Sequence, residues 1–145
     1  MEPLMPTPVT LPIVGAHFRP PAKALIQSMP MAHPLELRPE PTNPYDSNAV
    51  AIWLDAHTLP DESLEELRHT LPGMGSNIDD LMEQRFWHIG YIPKTDAVHL
   101  QPRIDAAIEA HNVQIDAAGE GFVRLGHPAT LSFDGTGKPL VTFHI

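Results

Sequence analysis

The sequence predicts an α+β fold: about six short strands in a small, mainly antiparallel barrel or strongly curled sheet, with packed helices and a helical insertion. Three observations predict it. Seventeen of the 145 residues are proline, more than twice the usual ~5%, which favours short segments with many turns over long helices. Runs of β-branched, aliphatic and aromatic residues recur at short intervals between clusters of Pro, Gly, Asn and Asp, as strands alternate with turns. Helical periodicity is confined to a few segments. The length suits a single domain, which we place at residues 9–145 after a loose leader, 1–8.

The elements follow in order. Residues 9–18 (VTLPIVGAHF) read as a first strand, with Pro12 at its start or on an edge. Arg19-Pro20-Pro21 ends it, and residues 22–29 form two helical turns with Leu25 and Ile26 inward. Residues 35–38 alternate as a short strand, halted by Pro39 and Pro41. Residues 39–48 are dense in turn formers, and 49–55 (AVAIWLD) read as a mostly buried strand. Residues 56–85 form an acidic helical insertion. Asp61 and Glu62 open a helix carrying Leu64, Leu67 and Leu71, and Ser76 or Asn77 caps a second that runs to Gln84. Residues 86–92 (FWHIGYI) are a strand. Residues 94–110 are helical, bent or split at Pro102. The rest reads as β structure: a strand at 113–117, a turn at 119–121, strands at 122–125 and 129–133, a hairpin turn at 134–137 and a closing strand at 140–145. Trp53 and Trp87 are read as barrel core.

Composition excludes several functions. The chain has no cysteine, hence no disulfide scaffold, thiolate metal site or cysteine nucleophile. Its nine histidines show neither H-x-H nor H-x-x-x-H spacing, so no metal or other cofactor is expected. No apolar run approaches the ~20 residues of a membrane span, and the N-terminus lacks a basic n-region, so a cytoplasmic protein is expected. Asp and Glu outnumber Lys and Arg 18 to 9, a net charge of -9, which disfavours coating nucleic acid by bulk electrostatics. Seven acids and two bases fall within 56–85, so this segment carries over half of the net charge.

Two short blocks carry most of the local chemistry. In Asn43-Pro44-Tyr45-Asp46-Ser47-Asn48-Ala49-Val50, Asn and Asp can bond their own backbone and shape a turn. An ordinary structural turn accounts for this composition. The block also places an aromatic face beside a carboxylate that can accept from a sugar hydroxyl, which suits a nucleotide end. In Ile89-Gly90-Tyr91-Ile92-Pro93-Lys94, Gly90 permits close backbone approach and Lys94 opens a helix, where anions are favoured. A solvated lysine is the commoner alternative.

These blocks, with Val14-Gly15-Ala16-His17-Phe18 ahead of them, resemble the HIRAN domain in content and order over residues 9–110. The family occurs at the N-terminus of some SWI2/SNF2-type DNA translocases and as standalone bacterial and phage proteins. The resemblance implies an OB-like barrel and a non-enzymatic module that binds single-stranded DNA, with preference for a free 3′-hydroxyl end. By position it implies that Phe18 stacks on a base, that Tyr45 is a second aromatic of the end pocket and that Asp46 bonds the 3′-hydroxyl. It further implies that Asn43 helps hold the terminal sugar, that Tyr91 lines the pocket and that Lys94 binds a phosphate. Phe122 is a further stacking candidate or a core residue.

The expected role is in DNA repair, replication or a phage or defence process, with a helicase, nuclease or other DNA-processing protein as partner and no membrane. The alternative is a protein-interaction module whose acidic insertion docks a basic partner.

Overall fold

The structure, a computed structural model, describes residues 7–15, 20–118 and 126–145. Six strands form one antiparallel sheet: β1 (Pro8–Pro12), β2 (Pro34–Pro39), β3 (Val50–Asp55), β4 (Phe86–Tyr91), β5 (His127–Phe133) and β6 (Pro139–His144). Their order is β1-β6-β5-β2-β3-β4. β1 and β4 are thus the two outer strands, yet the chain just past β1 reaches β4. Val14 N–H donates to the Tyr91 carbonyl and Tyr91 N–H to the Val14 carbonyl, both at 2.9 Å. One residue earlier, Ile13 N–H still donates to Pro139 at the start of β6. The backbone therefore changes partner from β6 to β4 between Ile13 and Val14, and the sheet curls until its outer strands meet. The expected small OB-like α+β fold is what forms.

That meeting depends on Gly90. A Cβ there would lie 2.7 Å from Ile13 Cγ2 and 2.8 Å from the Val14 carbonyl oxygen, so only glycine lets β4 approach this closely. A register shift between Ile52 and Trp53 pairs them with Gly90 and His88 and leaves Ile89 as the extra residue on β4. Such a bulge bends the strand and strengthens its twist, as a tightly curled sheet needs.

Ile52, Leu54, Ile89, Leu131, Val141 and Phe143 fill the interior of the sheet. Helix α1 (Pro20–Ser28) adds Leu25 and Ile26, and its two leading prolines suit the first helical turn. Helix α4 (Lys94–Ala118) brings Leu100, Ile104 and Ile108 over the sheet. Between β3 and β4 the chain makes a helical excursion, with α2 (Asp61–Thr70) and α3 (Ile78–Gln84) joined by a short 3-10 turn. Asn77 caps α3 by accepting from Asp80 N–H at 2.9 Å. Leu67, Leu71 and Leu81 are buried, while all seven acids of the excursion are exposed. Its base is clamped where Arg85 donates to both carboxylate oxygens of Asp55, each at 3.1 Å. Burial pushes the Asp55 carboxyl up, but the hydrogen bonds from Arg85 and the His57 amide outweigh this and hold it below the usual range. No described helix is long and apolar enough to cross a membrane.

Two expectations need correction. Residues 113–117 are the last turns of α4, not a strand. The alternating apolar pattern there is overridden because extending a formed helix avoids the cost of nucleation, and Ala117 and Ala118 favour it. At Pro102 the helix is not split: α4 runs through it. Pro102 and Val98 are both exposed, so solvent can take up the Val98 carbonyl that the proline leaves unbonded. Trp53 is half-buried outside the core, whereas Trp87 packs against it and donates to the Leu81 carbonyl at 3.1 Å. The expected turn at 119–121 and strand at 122–125, with Phe122, lie outside the described residues.

Gly90→Ala should lower the unfolding free energy by about 1–3 kcal/mol through overpacking, read by urea denaturation; an unchanged midpoint would refute the need for glycine. A second prediction concerns His33, buried where α1 gives way to β2, with Nε2 3.0 Å from Thr58 Oγ1. Burial pushes its pKa below the ordinary value. The unfolded chain therefore binds a proton near pH ~6.5 that the folded chain does not take up until lower pH. Stability falls as pH drops through that window. The loss of melting temperature between pH 7 and 5 should be smaller in His33→Asn than in the parent.

Candidate nucleic-acid interface

The turn that leads into β3 is built by its own side chains. Asn43 Oδ1 accepts from the backbone N–H of Tyr45 at 2.9 Å and of Asp46 at 3.2 Å. Asp46 Oδ1 accepts from Asn48 N–H at 2.9 Å, and Ala49 N–H returns to the Asp46 carbonyl at 3.1 Å. Short polar side chains that satisfy nearby amides hold a tight loop without a core of its own. One consequence is the placement of Tyr45, whose neighbours are fixed while its own side chain stands in solvent, 92% exposed. Another is that Asp46 keeps one carboxylate oxygen in the turn, while the other has no partner among the described residues.

Glu40 joins this turn to β4. Its Oε1 accepts from the Tyr91 hydroxyl and from Asn43 Nδ2, each at 3.0 Å. Its backbone N–H donates to the Ala49 carbonyl at 2.8 Å. Tyr91 is thus fixed at both ends, by Glu40 through its hydroxyl and by Val14 through its backbone. Its ring also meets His88 edge-on, centroids 4.5 Å apart. His88 stacks on Trp53 at 5.4 Å, and the Arg38 guanidinium lies 4.8 Å over the Trp53 ring. Glu36 neutralises Arg38 at 2.9 Å. This row of rings braces the outer face of β3 and β4 beneath Tyr91, which explains why Trp53 is not in the core.

Asn43, Tyr45, Asp46, Tyr91 and Lys94 all line one cavity of about 290 Å³, together with Val14, Ala49 and Ile92. The structure thus brings together five of the six residues that the sequence singles out; Phe18 lies outside the described residues. Lys94 is the first residue of α4 and is exposed. It makes no ion pair among the described residues, and the positive end of the helix dipole adds to its charge. The cavity therefore presents an aromatic face, a carboxylate and a cation, side by side and open to solvent. No group of three His, Asp or Glu suited to a metal ion occurs among the described residues.

Sequence reasoning missed Glu40 and Val14. The signal for Glu40 was its position, three residues before Asn43, where a side chain can reach back into the turn. Its bond to Tyr91 spans 51 residues and leaves no local trace. Asn43 both lines the cavity and shapes the turn that presents Tyr45 and Asp46, through its side-chain bonds to Glu40, Tyr45 and Asp46.

A family model described as HIRAN domain matches residues 9–125, a span that holds every residue of this cavity. No curated protein and no solved structure was found to match the chain.

Glu40→Ala should leave the Tyr91 hydroxyl and the Asn43 amide without their shared acceptor. We expect a loss of about 1–2 kcal/mol of stability, with amide shift changes in two-dimensional NMR concentrated at residues 40–49 and 90–94. Unshifted spectra would show that the turn holds its shape without this bridge.

Proposed function

The chain belongs to the HIRAN domain family and is a DNA-binding domain, and from that premise we propose that it holds single-stranded DNA by its 3′-hydroxyl end, without bond chemistry of its own. The observation that carries this reading is Tyr45, 92% exposed on the same cavity as the Asp46 carboxylate and Lys94. A large aromatic side chain left in water on a turn whose backbone is fixed adds little to stability there. As a platform for a base it contributes on the order of 1–3 kcal/mol without reading sequence.

Each group then has a task. Tyr45 stacks on the terminal base. The unpartnered Asp46 oxygen accepts from the 3′-hydroxyl. A phosphate at that position would meet a like charge, so the site discriminates a hydroxyl end from a phosphorylated one. Lys94, with the N-terminus of α4, takes the backbone phosphate. Tyr91 walls the pocket, Asn43 sets the turn, and Phe18 supplies a second stacking surface. Such a module would serve DNA repair, replication or a phage or defence process by bringing a helicase, nuclease or other DNA-processing protein to a 3′ end.

The acidic excursion does not oppose this. It leaves β3 at Asp55 and rejoins the sheet at Phe86, whereas the cavity borders Ala49 and Tyr91, at the other end of the same two strands. At ~3.4 Å per residue the base of the excursion is roughly 17 Å along the strands from the cavity. None of residues 56–85 lines the cavity. The alternative of a docking surface for a basic protein rests on the exposed acids alone.

Short oligothymidines ending in a 3′-hydroxyl should bind at least ~10-fold more tightly than the same strands ending in a 3′-phosphate, by fluorescence anisotropy. Tyr45→Ala and Asp46→Ala should each weaken binding by about 1–3 kcal/mol. Equal affinity for the two ends would sink the end-recognition reading.

A further inference from the structure

The chain has three lysines, Lys23, Lys94 and Lys138, drawn from α1, the start of α4 and the turn before β6. All three line one of two adjoining cavities. Lys94 lines the first. Lys23 and Lys138 line a second, of about 550 Å³, between α1 and the β5–β6 turn. Val14, 39% exposed, lines both. The second cavity has an apolar floor that includes Pro12, Phe133 and Pro139, and no Asp or Glu among its described lining residues.

The charge pattern is selective. Arg38, Arg68 and Arg85 each sit against a carboxylate, whereas the three lysines form no salt bridge among the described residues. Asp134 precedes the cavity residues Thr136 and Lys138 in the same turn, and one of its carboxylate oxygens is engaged there. Asp134 Oδ1 accepts from Thr136 N–H at 2.7 Å, Thr136 Oγ1 at 2.6 Å and Lys138 N–H at 3.0 Å. Those bonds hold it ionised, below the usual carboxylate range, as part of the turn that presents Lys138. In a chain of net charge -9, two lysines without a salt bridge among the described residues, over an apolar floor, form a site with the chemistry of a sugar–phosphate backbone: cations for phosphate, apolar surface for sugars and bases.

We propose that this second cavity is a subsite for the same DNA strand. The strand continues in the 5′ direction from the end pocket, passes Val14, and places backbone phosphates at Lys23 and Lys138 with a sugar or base against Phe133. The inference rests on the end-binding reading, since Val14 is the residue that the two cavities share. It also fits the fold: OB-type barrels take about 4–16 nucleotides, more than a pocket for one terminus holds.

The test compares a three-nucleotide and an eight-nucleotide oligothymidine, both with free 3′-hydroxyls, on the full chain and on the Lys23→Ala/Lys138→Ala double variant. Both lysines are exposed, and matched circular dichroism melting curves verify that the variant folds. NMR titration reads the weak short-strand binding. The longer strand should bind the parent about 10-fold more tightly than the shorter. The double variant should lose most of that gain and bind the short strand unchanged. At ~0.7 counterions per phosphate for single strands, the slope of log affinity against log salt for the longer strand should fall by about 1.4. Lys94→Ala should weaken both lengths. A longer strand no tighter than the short one, or a gain that survives the double substitution, overturns the second subsite and leaves the end pocket standing. Failure of both strands to bind overturns both readings.

Discussion

The Val14–Tyr91 bridge is the contact on which the rest of the molecule depends. Two backbone hydrogen bonds of 2.9 Å bring together strands at opposite edges of the sheet order. They join the chain just past β1 to the last residue of β4 and so give the curled sheet a single point of contact between its outer ends. The bridge also organises the surface, because Val14, which makes it, lines both cavities. Gly90 makes the contact sterically possible, and the bulge at Ile89 supplies the bend that carries β4 toward it. A fold-level demand for closure and a site-level demand for adjoining pockets are met by the same few backbone atoms.

Closure alone does not make a site; the turn at residues 40–49 does. Its stability comes from side chains that satisfy nearby amides, so it requires few apolar contacts, and Tyr45 can be left in solvent. The cost of holding a polar loop in one shape is offset locally by Asn43 and Asp46 and at longer range by Glu40. Because Glu40 accepts from both Asn43 and Tyr91, the turn is referenced to the seam itself. Any shift of β4 would be felt at Tyr45 and Asp46.

How much of this was legible in the sequence follows from how local each interaction is. The Asn43 and Asp46 bonds span two or three residues, so the turn and its exposed aromatic could be read from the block itself. The close approach at Gly90 was legible as a glycine inside a strand, though its partner was not. Glu40, Val14 and the meeting of three lysines depend on elements far apart in the chain, and no short-range pattern encodes them. Trp53 misled because a large aromatic in an apolar run reads as core, whereas here Arg38 and His88 cover its ring on the outer face. The strand expected at 113–117 failed for a different reason: an alternating apolar pattern was weaker than the momentum of a helix already 19 residues long on reaching it.

Charge shows why a whole-chain property is a poor guide to a site. A net charge of -9 spread evenly would repel a polyanion everywhere. Here the seven acids belong to an excursion that leaves β3 at Asp55 and returns at Phe86 and whose α2 packs against α1, while Lys94 lines the cavity at the other end of the β3–β4 pair. On the proposed path a phosphate approaching Val14 would meet Lys23, Lys94 and Lys138, with the ionised Asp134 in the same turn as Lys138. None of the excursion's residues lines either cavity, so the acids that dominate the net charge form no part of the proposed site.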